Sequence, residues 1–525
     1  MNSSVRTDLA RDLFLPTLLF VALGGMTWAV RGCSGYGAAV GCIFAGVAWG
    51  AGWWFISRSG SSEPVRRYTS AWIVLAVAVG FGFSGARGWM QWPSFFEGKI
   101  QITGPGDTLP ISRTYGFVWL FIAGVPWAGL GACLLAWCGS LRETRFGHWV
   151  IRIACGLAGA LVAQYLFDSF PQYFLPLYES LEDRYHDLEH NNNLRRLIND
   201  SRAAIRHLGI YLGLLGFEMG RRDWKNVVLI STVGLVNGAG WSLCQNWKWA
   251  PGIWPSGNFN WWRCWESSGG LSIGLALGIA YFLVNRPMSE PERTIFRTRR
   301  SIAGPNFEWL LVYLGLAGLM SIMLLSLAGV WGILYTIVIV LFGPVYLVSR
   351  SQAYAGEPTS TTSPYGDPNL QRLGLYLGLL FGLGISIRSG LKGWFNIYQG
   401  NEEYWSGVLW WILGPIYLVG LIALCLWTVR KPLPRDFDSD LFPHAAGLMW
   451  LVLIVQNVLG QLVTGPLDQW NEMAFSIYYL LLFAITAVIV VYYTAMQRLE
   501  SPVGETVIEE SFSEVLLYRA PERRR

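Results

Sequence analysis

The stretch GFGFSGARGWMQW, residues 80–92, starts as a glycine-rich apolar helix and then places Arg87 where a membrane-spanning helix should end. A related string, GLGISIRSGLKGW, occupies residues 382–394, and a looser one, GLVNGAGW, occupies residues 234–241. Charged residues at membrane depth are energetically costly, so an arginine in this position is a candidate functional residue. These strings indicate a membrane protein that reuses glycine, arginine and tryptophan at the ends of its helices.

The composition of the whole chain agrees with this class of protein. Of its 525 residues, 53% are hydrophobic and only 14% are charged, and the mean hydropathy is +0.37. These values exclude an ordinary soluble domain and a disordered chain alike. The 28 tryptophans are typical of the aromatic belts at membrane–water interfaces. We therefore predict an all-α polytopic membrane protein whose first partner is the lipid bilayer.

Apolar stretches, each close to the roughly 20 residues that cross a bilayer, predict about fourteen transmembrane helices that pair as seven hairpins. Most of the 39 Lys and Arg residues fall on one side of this arrangement, largely in the connections between hairpins. The positive-inside rule then predicts that both termini are cytoplasmic, in a plasma membrane such as the bacterial inner membrane. Topology explains the positive charge, so no nucleic-acid partner is expected. The predicted spans are 13–31, 37–57, 70–90, 115–138, 148–167, 203–219, 226–243, 267–285, 307–326, 328–348, 371–389, 405–429, 442–461 and 472–496.

The three related strings end the third, seventh and eleventh predicted spans, about 150 residues apart. An even number of helices per unit keeps every copy in the same orientation, which predicts parallel repeats of four helices. The alternative is that glycines recur because small residues let helices pack closely. The predicted units are a first repeat at 1–145, a second at 146–300 with an outer loop at 168–202, a third at 301–435 with a cytoplasmic linker at 350–370, a closing hairpin at 436–497 and a polar cytoplasmic tail at 498–525.

Four basic residues lie at the outer ends of the first, third and eleventh predicted spans, on the side that is otherwise poor in positive charge. Arginine suits carboxylate or phosphate recognition, because its planar guanidinium group offers several donors and keeps its charge. Neighbouring glycines let a ligand approach the backbone closely. The alternative is that each arginine only extends to the outer headgroups. The predicted substrate-binding residues are Arg31, Arg87, Trp89, Asn237, Arg388, Lys392 and Trp394.

The outer loop at 168–202 contains HDLEH, residues 186–190, which matches the H-x-x-E-H pattern of some zinc peptidases. Helical spacing predicts that Glu179, Asp183, His186 and His190 share one face of a helix. A solvated amphipathic helix explains the same spacing more simply, so no metal or cofactor is predicted.

Several other polar or aromatic groups admit two interpretations. Seven tryptophans within residues 241–266 predict either a stacking platform for a sugar or lipid headgroup, or a plug lying on the bilayer. The amides of Gln456, Asn457 and Gln461 either line a hydrophilic path or tie helices together. Glu218 is expected to pair with its neighbours Arg221 and Arg222.

Together these features favour a secondary transporter or flippase for an anionic solute or a lipid-linked headgroup, working by alternating access. The alternative is a membrane-embedded enzyme that acts on a lipid or glycan at the outer face. Its acid–base groups would come from the 168–202 loop or from Glu97, Asp107 and Glu266, and no catalytic residue is assigned. A scaffold protein is a third possibility. The chain has no P-loop motif for nucleotide phosphates.

Overall fold

A computed structural model gives the architecture of the protein. It describes residues 8–32, 38–59, 66–85, 92–295 and 441–499, together with residue 378. Almost all of the predicted third repeat and of the predicted tail lies outside these ranges. Short gaps within the ranges fall at residues 105, 141, 143–145, 245–246, 248, 254–258 and 466.

The described chain is helical apart from one short hairpin, in which β1 (Lys99–Gln101) pairs antiparallel with β2 (Thr108–Pro110). A π-helical turn at Ala10–Phe14 precedes the first α-helix, and a 3-10 turn lies at Pro171–Tyr173. The α-helices are α1 (Leu15–Arg31), α2 (Ala38–Arg58), α3 (Trp72–Ser84), α4 (Trp92–Phe95), α5 (Thr114–Cys138), α6 (Phe146–Ser169), α7 (Glu182–His186), α8 (Asn192–Gly220), α9 (Trp224–Cys244), α10 (Ala250–Ile253), α11 (Trp261–Val284), α12 (Leu441–Leu462) and α13 (Trp470–Leu499).

Eight helices within the described ranges are long and apolar enough to cross a membrane. The prediction of an all-helical chain with the character of a polytopic membrane protein is confirmed to that extent. Ten of the fourteen predicted spans fall on helices. The other four, 307–326, 328–348, 371–389 and 405–429, lie outside the described residues except for residue 378, so the number fourteen stays a prediction.

Three helices differ from their predicted ranges by six residues or more, and one of them is α11, which begins at Trp261 rather than at residue 267. The helix predicted at 70–90 is α3, which ends at Ser84, and the helix predicted at 203–219 is α8, which already begins at Asn192. The first half of α8 was missed because it is charged and amphipathic. A helix of 29 residues is about 44 Å long, so α8 is longer than the hydrocarbon core is thick.

Successive long helices run in opposite directions, and their ends gather in two places. At the Arg66 end of the bundle, Arg66 donates to Asp12 before α1 and to the carbonyl of Asn285 after α11, at 2.7 and 2.8 Å. At the opposite end, the Arg31 end, Arg31 closes α1 and pairs with Glu266 near the start of α11. Which end faces the cytoplasm stays a prediction from the charge bias.

Glycines set the closest helix contacts. A Cβ at Gly270 of α11 would lie 2.0 Å from the carbonyl oxygen of Gly24 in α1, and one at Gly24 would lie 2.1 Å from that of Gly270. Gly159 of α6 and Gly209 of α8 meet in the same reciprocal way. In a bilayer, where lipid tails are as apolar as leucine, such close backbone packing is what holds helices together.

Both described glycine strings pack on α5. A Cβ at Gly80 would lie 2.7 Å from the Cα of Gly131, and one at Gly238 would lie 3.1 Å from the carbonyl oxygen of Phe121. These contacts support close packing as an explanation of the recurring glycines, while the repeat itself stays a prediction.

A buried ion pair joins α6 to α8 and corrects one expectation. Glu218 accepts from Nε and Nη2 of Arg152, at 2.9 and 2.6 Å, and from Nε1 of Trp137 at 3.1 Å. The predicted pairing with Arg221 and Arg222 is therefore wrong, because the glycine contact between α6 and α8 brings a more distant arginine to the carboxylate.

Segments at the Arg31 end cover the start of α8. The backbone N–H of Asn193 donates to the carbonyl of Ile102 beside the hairpin, at 3.1 Å. Trp249 donates through its indole N–H to the carbonyl of Phe96, at 2.7 Å. The connections at the Arg31 end thus form a packed layer.

Candidate functional site

Arg31, the last residue of α1, forms a buried ion pair with Glu266 of α11. Its Nη1 donates to both carboxylate oxygens of Glu266, at 2.9 and 2.7 Å. The two side chains are only 6% and 4% exposed. Gly32 packs directly on the Glu266 side chain, since a Cβ there would lie 3.2 Å from Cγ of Glu266. The pair therefore closes the interface between α1 and α11 at the Arg31 end.

Two tryptophan rings enclose the guanidinium group of Arg31. Its Cζ lies 5.3 Å from the ring centroid of Trp28 and 5.3 Å from that of Trp127. These rings meet edge to face, with 5.9 Å between their centroids. Trp49 packs on Trp28 at 5.4 Å, and Trp241 packs on Trp127 at 4.9 Å. Cation–π contacts are strongest where water is excluded, as here.

The end of α3 reaches the same place through Cys42 of α2. The thiol of Cys42 donates to the carbonyl of Gly85 at 3.3 Å, and it also interacts with the guanidinium group of Arg31. The chain continues from Gly85 into the segment that carries Arg87 and Trp89, which lies outside the described residues. We call Arg31, Glu266, Trp28, Trp127 and Cys42 the Arg31 site.

Asn237 lies on α9 and ties three helices together. Its Nδ2 donates to the carbonyl of Gly124 on α5 at 2.7 Å, and its Oδ1 accepts from Ser272 of α11 at 3.3 Å. The next turn of α5 contains Trp127, whose carbonyl accepts from Ser84 at the end of α3. Both glycine strings are thus attached to α5 next to the Arg31 site.

Two buried N–H groups of the Arg31 site have no hydrogen-bond acceptor among the described residues. They are Nε of Arg31 and Nε1 of Trp28. A buried donor without an acceptor costs about 1–3 kcal/mol, so both groups favour an additional acceptor at this place.

Of the seven predicted binding residues, the structure therefore describes Arg31 and Asn237 and places both close to Trp127. The sequence did not reveal Glu266 as the partner of Arg31, although it is the only acidic residue within Trp261–Val284. A single acidic residue in an otherwise apolar helix is a feature of the sequence that points to a functional residue. Outside the described residues lie the remaining five: Arg87, Trp89, Arg388, Lys392 and Trp394.

The single helix face on which the spacing predicts Glu179, Asp183, His186 and His190 does not form. The helix α7 ends at His186, and the chain then turns, so His190 does not continue the same face. His190 instead pairs with Asp187 at 2.9 Å, and its hydrogen bond lowers the pKa of that carboxyl. Within the described ranges no three His, Cys, Asp or Glu side chains form a group that suits a metal ion.

The acidic residues considered for an enzyme have separate surroundings. Glu97 pairs with Lys99 of β1, and Asp107 lies 3.5 Å from Arg184. Glu266 is buried in the Arg31 site. The structure gives these three carboxylates no common cleft among the described residues.

The amides of α12 tie helices together. Gln456 donates to the carbonyl of Leu23 in α1 at 3.3 Å. Gln461 donates to the carbonyl of Ser476 in α13 at 3.2 Å and accepts from the hydroxyl of the same residue. For these two amides, helix attachment is the interpretation that the contacts support.

The tryptophan-rich stretch divides between the surface and the interior. Trp247 and Trp262 are 38% and 40% exposed, and Trp247 stacks on Trp261 at 5.9 Å. Trp265 is buried and packs on Trp241 at 5.6 Å. The stretch therefore links the surface at the Arg31 end to the tryptophans around Arg31.

Comparisons of the chain with protein-family models, with curated proteins and with solved structures found no match.

Proposed function

We propose that the protein is a secondary transporter or flippase that binds an anionic solute or lipid-linked headgroup at the Arg31 site. The observation that carries this proposal is the buried Arg31–Glu266 pair. It holds a permanent positive charge at the end of an apolar helix, in a place where an incoming carboxylate or phosphate can take the position of Glu266.

Stability alone is a weak explanation for this pair. The contact between Gly24 and Gly270 already joins α1 to α11. Replacing a buried ion pair by well-packed apolar residues is often neutral or stabilising. An anion that binds Arg31 explains the retained charge better. The N–H groups of Arg31 and Trp28 that have no acceptor among the described residues add donors for it.

The position of the site suits transport. Arg31 and Glu266 come from α1 and α11, and the enclosing side chains Cys42 and Trp127 come from α2 and α5. A relative movement of these helices changes access to the site, as alternating access requires.

The test is a thermal-unfolding screen of the detergent-purified protein against organic acids, sugar phosphates and inorganic anions. A ligand at 100 times its Kd stabilises the folded state by about 2.7 kcal/mol. The matched control is the double variant Arg31→Gln/Glu266→Gln, which leaves no unpaired buried charge. The best anion is then assayed for exchange across proteoliposomes.

The proposal predicts an anion that stabilises the native protein, does not stabilise the double variant, and exchanges across the membrane. Equal stabilisation of both proteins would place the binding elsewhere. Arg31-dependent binding without exchange would reject transport and retain only an anion-binding membrane protein.

For the whole chain, we infer fourteen helices in seven hairpins, with three parallel four-helix units and a closing hairpin. Both termini are then cytoplasmic and the Arg31 end faces outward, where Arg87, Arg388 and Lys392 complete the basic lining. The alternating directions of the described helices support the pairing into hairpins.

A further inference from the structure

Glu266 differs from the other buried acidic residues in how its carboxylate is held. In the four other buried ion pairs that the structure describes, the carboxylate accepts from a second donor besides its arginine. Glu266 accepts only from Arg31 within the described chain. The second donors elsewhere are the N–H of Asp8 for Asp12, the hydroxyl of Ser140 for Asp223, the indole of Trp137 for Glu218 and the N–H of Gly465 for Glu472.

An anion that replaces Glu266 on Arg31 therefore leaves this carboxylate without a partner among the described residues. A buried carboxylate that lacks both a cation and hydrogen-bond donors is far less stable than its protonated form. Uptake of one proton keeps the net charge of the site at zero, because the anion compensates Arg31 while Glu266 becomes neutral.

The groups around Glu266 offer no substitute cation among the described residues. Arg263, one turn earlier on α11, is the nearest other basic residue of that helix and is held by Glu472 at 2.7 Å. The titratable groups that face this part of α11 from packed elements are Arg31 of α1, Cys42 of α2, Cys244 of α9 through Ser268, and Tyr478 of α13 through Ser267.

We propose that binding of one anion at Arg31 is coupled to uptake of one proton by Glu266, so that the transporter is an anion–proton symporter. The proposal rests on the proposed function. The proton comes from water at the face to which the site is open and binds a carboxylate oxygen of Glu266. It leaves at the opposite face when the anion departs and the Arg31–Glu266 pair forms again.

The probe for the test is benzenesulfonate, whose flat ring suits tryptophan faces and which stays anionic in mild acid. Its apparent Kd for the full-length protein is measured by thermal shift between about pH 5 and about pH 8, at constant ionic strength. Three variants accompany the native protein: Glu266→Gln, the double variant Arg31→Gln/Glu266→Gln, and Asp168→Asn. Asp168→Asn is the control, because it removes the carboxylate of the half-exposed pair with Arg202.

If one proton is taken up on binding, the affinity of the native protein for benzenesulfonate should fall about tenfold per pH unit. The fall should begin at the pH at which Glu266 of the free protein has lost its proton. Glu266→Gln should bind at every pH as the native protein does in acid, and Asp168→Asn should follow the native curve. The double variant should not bind.

Binding by the native protein that depends on Arg31 but not on pH would overturn proton coupling and leave the proposed function standing. The same conclusion follows if Glu266→Gln keeps the native pH dependence. A third result would overturn both the coupling and the anion site. In that result, neither the native protein nor Glu266→Gln shows any benzenesulfonate binding that the double variant lacks.

Discussion

At the scale of single residues, the described part of the molecule pairs arginine with acidic residues where water is scarce. Five such pairs are buried, and each joins separate segments of the chain. Arg152 and Glu218 form the most enclosed of them, with both side chains 1% exposed. Removing one member of a buried pair leaves the other charge uncompensated, so a substitution of either residue should lower the stability of the fold.

We expect Glu218→Gln to lower the free energy of unfolding by about 3–5 kcal/mol, because Arg152 stays buried without its counter-charge. Asp168→Asn removes the acidic partner of Arg202 in a pair that is 35% and 38% exposed, and it should cost about 1 kcal/mol or less. Thermal unfolding in detergent, followed by intrinsic fluorescence, compares the two variants. Equal losses in the free energy of unfolding would contradict the conclusion that the Arg152–Glu218 ion pair is buried and stabilises the contact between α6 and α8.

At the scale of helices, packing depends on glycines that let backbones touch. Gly270, Gly274 and Gly278 recur at intervals of four along α11, and each lies against α1. A side chain at the first of these positions has no room, because the carbonyl of Gly24 already occupies it. The interface between α1 and α11, and with it the position of Arg31 relative to Glu266, rests on these small residues.

Gly270→Ala should therefore destabilise the protein by about 1–3 kcal/mol or more, since the two helices must separate to admit a methyl group. Gly447→Ala on α12 is the matched control, because a Cβ there meets nothing within 4 Å. In a helix that change should be neutral or slightly stabilising. Thermal-unfolding midpoints measure both, and a tolerated Gly270→Ala would contradict close packing of α1 on α11.

The long apolar helices were predictable because each needs only a run of apolar residues, which the sequence displays directly. The first half of α8 was not, since arginines interrupt its apolar character and its partners are outer loops. The pairing of Arg31 with Glu266 was also out of reach. The two residues are 235 positions apart, and the packing of α1 on α11, with its glycine contacts, brings them together.

At the scale of the whole molecule, the bundle has two ends with different contents. The Arg66 end holds buried pairs of Arg66, Arg67 and Arg152, each joining helices near the connections between hairpins. The Arg31 end holds the tryptophans around Arg31 and the packed layer of connections that includes α7 and the hairpin. The excess of basic residues predicts that the Arg66 end is cytoplasmic.

This orientation is testable with two matched variants at exposed positions, Glu189→Cys at the Arg31 end and Glu290→Cys at the Arg66 end. In intact cells, a membrane-impermeant maleimide should label Glu189→Cys and should label Glu290→Cys only after permeabilisation. The native chain gives the background from its own thiols. The reverse pattern of labelling would show that the Arg31 end faces the cytoplasm.

The most direct test of the central claim, that Arg31 accepts an exchangeable anion, is to remove the side chain of Glu266 and supply a small anion in its place. We expect formate to raise the unfolding temperature of Glu266→Ala, because it fills the vacated space and compensates Arg31. Formamide, which has nearly the same shape and no charge, should not. Equal effects of formate and formamide, or no effect of either, would contradict an anion site at Arg31.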